Sequence, residues 1–289
     1  MTSPTGSTTT AGSVSRHAAA PGWRAASMTD RPDPRESRAF DLAMKAAPHL
    51  ALFAAILVLW EVGVRTGAIQ SIMVPEPTAI VGAILELYVS ERTIYEHFII
   101  TLTEAVVGFL IGGAIAVTLA VGSALYEPFK RYVSPYAIVL NVTPGIALTP
   151  VVIAWFGYGM GSKIALAAII CFFPIYVNTL TGLLQRDDDR EELFRSVGAS
   201  ERQVFMALRV PSALPLLFAG LKIGLTTALI GAVVAEFAQA TAGVGVLMSR
   251  FSFTLDMASS IAALLSMTLI GLILFYSMEF LDDRIVFWR

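Results

Sequence analysis

Residues 99–121 read IITLTEAVVGFLIGGAIAVTLAV, a run of apolar and small residues that contains one charged side chain, Glu104. A helix crosses the hydrocarbon layer of a bilayer with about 20 such residues. The run does not alternate between apolar and polar positions, which excludes a transmembrane β-strand. Because backbone polar groups in lipid must be satisfied within their own segment, the run predicts a membrane-spanning helix.

Apolar runs of this kind recur along the chain. The composition agrees, since 56% of the 289 residues are hydrophobic, 15% are charged and the mean hydropathy is +0.71. These values exclude a disordered chain and leave little material for a soluble enzyme domain. We predict an all-α fold, a polytopic bundle of six transmembrane helices. The predicted spans are residues 46–64, 99–121, 135–157, 161–184, 212–237 and 261–281.

The distribution of Lys and Arg predicts the orientation of the bundle. With the N-terminus inside, 15 of them fall in cytoplasmic segments and only Arg65, Arg92, Lys163 and Arg250 fall outside. The positive-inside rule then places both termini in the cytoplasm. Residues 1–45 are rich in Ser, Thr, Ala and Pro, which predicts a disordered cytoplasmic tail, with Met28 and Met44 as alternative starts. The transmembrane domain is predicted to cover residues 46–289.

Several kinds of functional site are not expected. The net charge of −2 gives no field that would attract nucleic acid. The single cysteine, Cys171, cannot form a disulfide within the chain, and the three histidines have no metal-ligand spacing. We therefore expect no metal site and no catalytic residue. The chain also lacks a phosphate-binding G-x-x-x-x-G-K-[ST] loop, so any ATP and Mg²⁺ must be bound by another polypeptide.

The segment between the fourth and fifth spans, Gln185 to Pro215, reads QRDDDREELFRSVGASERQVFMALRVPSALP. Three aspartates from Asp187 onward predict the start of a short helix, because negative charge complements its N-terminal dipole. Gly198 predicts its end, and Ser200 with Gln203 forms a capping-box pattern for a second helix. We expect Pro211 and Pro215 to end that helix and lead into span five.

Both short helices have an apolar face. Leu193, Phe194 and Val197 share one face of the first helix, and Val204, Phe205 and Leu208 share one face of the second. These faces contact either a partner protein or the ends of the neighbouring spans. The sequence alone leaves both interpretations open.

The pattern in this segment resembles the EAA loop of permease subunits of binding-protein-dependent (type I) ABC importers. It consists of Glu192, Gly198-Ala199-Ser200, Phe205 and Val210-Pro211. Further stretches resemble the nitrate, sulfonate, taurine and pyrimidine-precursor branch of that family. They are Leu50 to Gly67, Val74 to Pro77, Thr143 to Pro150, Trp155 to Gly159, Gly220 to Leu225 and Val234 to Phe237.

The resemblance implies a function and a set of partners. It implies that the chain is a transport subunit, not an enzyme, in the cytoplasmic (inner) membrane. The implied partners are two ATPase subunits, a second permease copy in a homodimer, and an extracytoplasmic binding protein that delivers a small organic solute, anionic or heterocyclic. Residues 187–209 would couple the permease to the ATPase. The implied coupling residues are Glu192, Leu193, Phe194, Gly198, Ala199, Ser200, Phe205 and Pro211. The family commonly has two alanines where this chain has Leu193 and Phe194.

Polar residues within the spans are candidates for the translocation pathway. We select Asn141 and Thr143, which precede Pro144, and Glu236 near the outer end of span five. An interhelical hydrogen bond would explain Glu236 equally well. For Lys222 we favour snorkelling or an ion pair with a neighbouring span, and for Phe172, Phe173 and Tyr176 we favour helix packing.

Two other classes of protein are alternatives. A secondary transporter driven by an ion gradient would require interrupted helices in matching halves and paired acids at mid-membrane. We find no internal repeat. An intramembrane enzyme would require a nucleophile with a base beside it, and Cys171 has no histidine near it in the sequence.

Overall fold

A computed structural model describes residues 34–239 and 241–288. The described residues divide into two compact units, one that ends at Ala55 and one that begins at Ile56. The described residues form eleven α-helices. They are α1 (Pro34–Arg65), α2 (Pro77–Leu85), α3 (Ile94–Leu125), α4 (Glu127–Val142), α5 (Gly145–Phe156), α6 (Met160–Leu184), α7 (Asp188–Ser196), α8 (Glu201–Val204), α9 (Val210–Gln239), α10 (Val244–Phe253) and α11 (Met257–Ile285). Two π-helical turns, Glu86–Ser90 and Phe205–Arg209, extend α2 and join α8 to α9.

The all-α fold is confirmed. Five helices in the described part of the chain are long and apolar enough to cross a membrane, and a bent pair makes a sixth candidate. The short apolar helices α2 and α10 occupy the two long segments between spans. Residues 34–45, which we included in the predicted tail, form the first turns of α1, and the rest of that tail lies outside the described residues.

The third predicted span, residues 135–157, is wrong as a single helix. It consists of α4 and α5, which meet at an angle of 104°. The break falls at Thr143, whose ψ is 122°, and Pro144. A proline disfavours helical geometry in the residue before it, and Pro144 has no N–H to bond to the carbonyl one turn earlier. The two effects together end α4 and restart the chain as α5.

Helix α6 lies at the centre of the bundle, packed against α3 and α9. Small residues allow the close approach. A Cβ on Gly112 of α3 would lie 2.7 Å from the Cys171 sulfur, and one on Gly231 of α9 would lie 2.8 Å from the Ala167 Cα. Lipid tails are as apolar as side chains, so helices in a membrane associate through such close packing.

Aromatic residues of α6 confirm the packing interpretation. Phe172 and Tyr176 are buried and stack with their ring centroids 5.7 Å apart. The Tyr176 hydroxyl lies 3.1 Å from the Ser123 hydroxyl of α3 and 3.0 Å from the Ser134 hydroxyl of α4. The pair therefore ties α6 to two neighbours and leaves no aromatic surface for a ligand.

Replacing Gly112 with Ala should destabilise the bundle by about 1–3 kcal/mol, the usual cost of overpacking. The new methyl group would meet the backbone oxygen of Ala168 as well as the Cys171 sulfur, so α3 and α6 would have to separate. Thermal unfolding of the purified protein in mild detergent measures the loss. Gly82→Ala is the matched control, because a Cβ there meets no atom within 4 Å. Equal melting temperatures for the two variants would contradict the packing argument.

Candidate functional site

The loop between α6 and α9 begins as the sequence predicts. Asp187 caps α7, and its side chain accepts a hydrogen bond of 3.1 Å from the backbone N–H of Arg190. Asp188 and Asp189 lie in the first turn, where they complement the helix dipole. The cap and the charges fix where α7 begins, directly after the end of α6.

The turn after α7 is a Schellman motif. Gly198 has a φ of 82°, and its N–H donates to the carbonyl of Arg195 at 3.0 Å. The N–H of Ala199 donates to the carbonyl of Phe194 at 3.0 Å. This pair of bonds is the standard way to end a helix with a left-handed glycine. The predicted break at Gly198 is therefore confirmed.

A capping box starts the second helix, as predicted. The backbone N–H of Gln203 donates to the Ser200 hydroxyl at 3.4 Å, and the backbone N–H of Ser200 donates to the Gln203 side chain at 2.8 Å. The predicted end at Pro211 is wrong. The chain passes from α8 through the π-helical turn Phe205–Arg209 into α9, with Pro211 and Pro215 inside that helix. A wider turn accommodates the missing proline N–H without ending the helix.

The two apolar faces of the loop have different environments. On α7, Leu193 is 63% exposed and Val197 is 77% exposed, while Phe194 is half-buried. On the second helix, Val204 and Phe205 are buried, and Phe205 packs in a cluster with Leu183 and Ala213. The second short helix therefore packs on the ends of its own spans. By contrast, α7 presents its apolar side chains outward.

An ion pair that the sequence analysis missed fixes α7 to the bundle. Glu191 of α7 accepts two hydrogen bonds from Arg209, of 2.7 and 2.9 Å. Both side chains are largely buried. The Arg209 guanidinium holds the pKa of Glu191 below its usual value. Glu192, the residue selected from the sequence, is exposed beside it. Glu191 and Arg209 are 18 positions apart in the sequence, a separation that gives no periodic signal, so only the fold reveals the pair.

The three candidate pathway residues lie in two separate places. Asn141 is exposed near the end of α4, and Thr143 lies at the break between α4 and α5. Glu236 is 1% exposed, and its carboxylate accepts hydrogen bonds from Thr101 and from the backbone N–H of Gly245. The interhelical hydrogen bond expected for Glu236 is thus present.

Two further charged residues of the spans form ion pairs, and the sequence analysis misplaced one of them. Lys163, which we assigned to an outer segment, is buried in α6 and pairs with Glu104 at 2.9 Å. Lys222 pairs with Glu279 and, at 2.7 Å, with Asp282, so its predicted ion pair with a neighbouring span is confirmed.

Apolar spans around a close-packed centre, with an amphipathic loop that presents α7 at one end, define the chain as a multi-pass membrane protein. The chain belongs to the family of binding-protein-dependent transport system inner membrane components, which matches residues 108–287. It is the membrane-spanning permease subunit of an ABC importer for a small solute, a transport subunit and not an enzyme. The secondary-transporter and intramembrane-enzyme alternatives are set aside.

Characterised relatives have similar lengths. The chain is 33% identical over 237 residues to the formylaminopyrimidine transport permease protein ThiX of Halalkalibacterium halodurans, covering 82% of this chain and 94% of the relative. It is 30% identical over 234 residues to the riboflavin transport system permease protein RibX of Chloroflexus aurantiacus, covering 81% and 87%. A solved inward-facing structure of the MetNI methionine ABC transporter has a TM-score of 0.56 at 21% identity, covering 68% of this chain and 97% of that chain. That likeness shows the fold.

Replacing Arg209 with Met should release α7 from the bundle, because it leaves the largely buried Glu191 carboxylate without its hydrogen-bonded partner. Losing hydrogen bonds to a charged group costs about 1.5–3 kcal/mol. Hydrogen exchange of the amides in residues 188–196 should accelerate accordingly. Arg131→Met is the control, since Arg131 of α4 pairs with Glu127 at 3.8 Å on the exposed surface, where such pairs contribute little. Equal exchange in the two variants would contradict the role of the pair.

The same ion pair predicts a pH dependence. A carboxyl whose pKa is lowered on folding stabilises the folded form above its unfolded pKa, and that stability is lost as the pH falls through the folded pKa. Protection of α7 in the wild-type protein should therefore persist at pH 4.5, the ordinary pKa of Glu, and decline only below it. In Glu191→Gln the decline should be absent. A fall in protection that is complete above pH 4.5 would contradict the assignment.

Proposed function

We propose that residues 187–209 couple this permease to an ATPase subunit that binds ATP and Mg²⁺. The observation that carries the proposal is the exposure of Leu193 and Val197 on a helix that is itself fixed to the bundle by Glu191 and Arg209. An apolar surface held rigidly outside a membrane protein is suited to bind a partner. Two permease copies and two ATPase subunits would form the complex, with an extracytoplasmic binding protein delivering the solute.

The loop can transmit movement because the positions of its helices are fixed relative to each other and to the bundle. The Schellman motif fixes the angle between α7 and α8, and the ion pair fixes α7 to the start of α9. A displacement of α7 by the ATPase would therefore reach α9 through Arg209 and through the π-helical turn. That turn replaces ordinary helical hydrogen bonds with wider ones, and such turns are frequent at functional sites. In this proposal Glu192 and Leu193 contact the ATPase, while Phe205 and Pro211 keep the second helix on its span.

The exposed side of α4 is suited to line the translocation pathway between two permease copies. Tyr132, Tyr136, Asn141 and Thr143 are uncharged polar or aromatic residues on or beside this helix, and both tyrosines are exposed. Aromatic rings with a polar group favour flat, heterocyclic solutes. The relatives named for formylaminopyrimidine and riboflavin transport support that class. Glu236, buried within the chain, would act on this pathway by fixing the end of α9.

The proposed arrangement also sets the location of the chain. The loop must face the compartment that contains ATP, so both termini would lie in the cytoplasm and the bundle in the cytoplasmic membrane. The excess of Lys and Arg on that side supports this orientation.

Gly198→Val should abolish ATP-driven uptake while leaving membrane insertion intact. A β-branched residue resists the φ of 82° at this position, at a cost of about 1–2 kcal/mol, so the angle between α7 and α8 would change. Uptake by proteoliposomes of the reconstituted complex is the measurement. Gly67→Val is the matched control, because Gly67 has a φ of 76° and, like Gly198, open space around a Cβ. Normal uptake by the Gly198 variant would refute the coupling role.

Leu193→Asp should weaken binding of the ATPase subunit, because it places a charge on the proposed contact surface. Leu255→Asp is the control, since Leu255 is exposed to a similar extent (57%) between α10 and α11, away from the loop. Co-purification of tagged permease with its ATPase in mild detergent measures the difference. We expect at least a tenfold loss for the first variant only. Equal recovery with both variants would show that α7 is not the docking surface.

A further inference from the structure

Three ionisable side chains from three helices meet inside the bundle. They are Glu104 of α3, Lys163 of α6 and Glu236 of α9, each no more than 4% exposed. Lys163 lies in the first turn of α6, whereas α7 follows its last turn, so the cluster and the loop are roughly 30 Å apart along the helix. The coupling role proposed above does not use these residues.

The Glu236 carboxylate lies in a cradle formed by the segment before α10. The Thr101 hydroxyl donates to one oxygen at 2.6 Å, and the backbone N–H of Gly245 donates to the other at 2.6 Å. The backbone N–H of Val244 donates to the Thr101 oxygen at 2.9 Å. Gly243 has a φ of 127°, and a Cβ there would occupy the position of the carboxylate. The segment 241–245, which we call the outer loop, is therefore shaped around this side chain.

Lys163 neutralises only one of the two acids. Its ammonium lies 2.9 Å from Glu104 and donates to the carbonyl of Ala242 in the outer loop at 3.0 Å. If both acids were ionised, the buried cluster would carry one uncompensated negative charge. An unpaired charge in a low-dielectric site is so unfavourable that the group takes up a proton instead.

The surroundings of Glu104 also indicate that one of the two acids is protonated. Neither of its oxygens accepts a well-aligned hydrogen bond from the described residues, although the side chain is fully buried. Its carboxyl group neighbours that of Glu236. Two carboxylates facing each other can form a hydrogen bond only when one of them is protonated.

We propose that Glu104 and Glu236 share one proton, so that the cluster is a proton-binding site that holds the outer loop closed. With the proton present, Lys163 balances the remaining charge and the cradle stays intact. Loss of the proton leaves two carboxylates in a dry site, and their repulsion favours opening of the outer loop to water. Opening should therefore increase as the pH rises.

The other ionisable groups near the cluster do not balance its second negative charge. His97 of α3 accepts a hydrogen bond of 2.9 Å from the backbone N–H of Gly243 at Nδ1, so that nitrogen carries no proton in this arrangement and the ring is neutral. Glu96 of α3 and Arg250 of α10 act on His97 with opposite signs. Their charges offset each other at the boundary of the bundle.

Infrared spectroscopy of the full chain in lipid nanodiscs tests the proposal, because a protonated carboxyl absorbs separately from a carboxylate. Difference spectra at pH 7 should show the loss of one protonated carboxyl in Glu104→Gln and likewise in Glu236→Gln. Lys163→Met should gain one, since no cation then remains for the second acid. Glu96→Gln, an exposed control, should leave the band unchanged. Unchanged bands in both cluster Gln variants would overturn the proposal.

Thiol labelling tests the link to the outer loop. Cysteine replaces Val244, which is buried where the loop meets α10, or Thr254 after α10, which is exposed, and the ratio of their labelling rates removes the effect of pH on the thiol itself. Release of one proton on opening predicts that this ratio approaches about a tenfold rise per pH unit. In the Glu236→Gln background, where the amide stays neutral, the ratio should be flat. A flat ratio in the wild-type background, or the same rise in both, would overturn the linkage between the proton and the loop.

Discussion

Close packing on α6 is the constraint on which the rest of the structure depends. In a bilayer, apolar side chains gain little by leaving lipid for a neighbouring helix, so van der Waals contact between backbones must hold the bundle together. Glycines of α3 and α9 provide that contact on two sides of α6. The arrangement brings the N-terminal ends of α6 and α10 to Glu236 and the C-terminal end of α6 to α7. Both polar sites therefore depend on the same apolar centre.

The two polar sites lie at opposite ends of α6 and stabilise different segments. At one end, the ion pair between Glu191 and Arg209 makes α7 part of the rigid bundle, although its apolar side chains point outward. At the other end, the outer loop encloses the Glu236 carboxylate and donates a hydrogen bond to it. Charged groups are expensive at membrane depth and persist where they are paired or functional. In this chain they add ion pairs between packed helices and fix α7 and the outer loop to the bundle.

Much of this could be predicted from the sequence because the signals are local. Continuous apolar runs identified the spans, and Asp187, Gly198 and Ser200 marked the ends of short helices, since caps depend on residues a few positions apart. The predictions of a continuous span across Pro144 and of a helix end at Pro211 were wrong because the outcome at these prolines is not decided locally. A proline removes one hydrogen bond, and the tertiary surroundings decide whether the helix bends sharply or widens. The pairing of Lys163 with Glu104 joins residues far apart in the sequence, and no periodicity reports such contacts.

The cradle of Glu236 has a consequence for how sequences of this family can diverge. Because a side chain at position 243 would occupy the space of the carboxylate, a substitution there is compatible with the fold only when position 236 is shortened as well. A side chain at position 243 should therefore occur only where position 236 carries a shorter residue, whereas position 236 can shorten while Gly243 remains. Such paired variation, followed across related permeases, would separate lineages that keep a buried acid at this end of α9 from lineages that have replaced it.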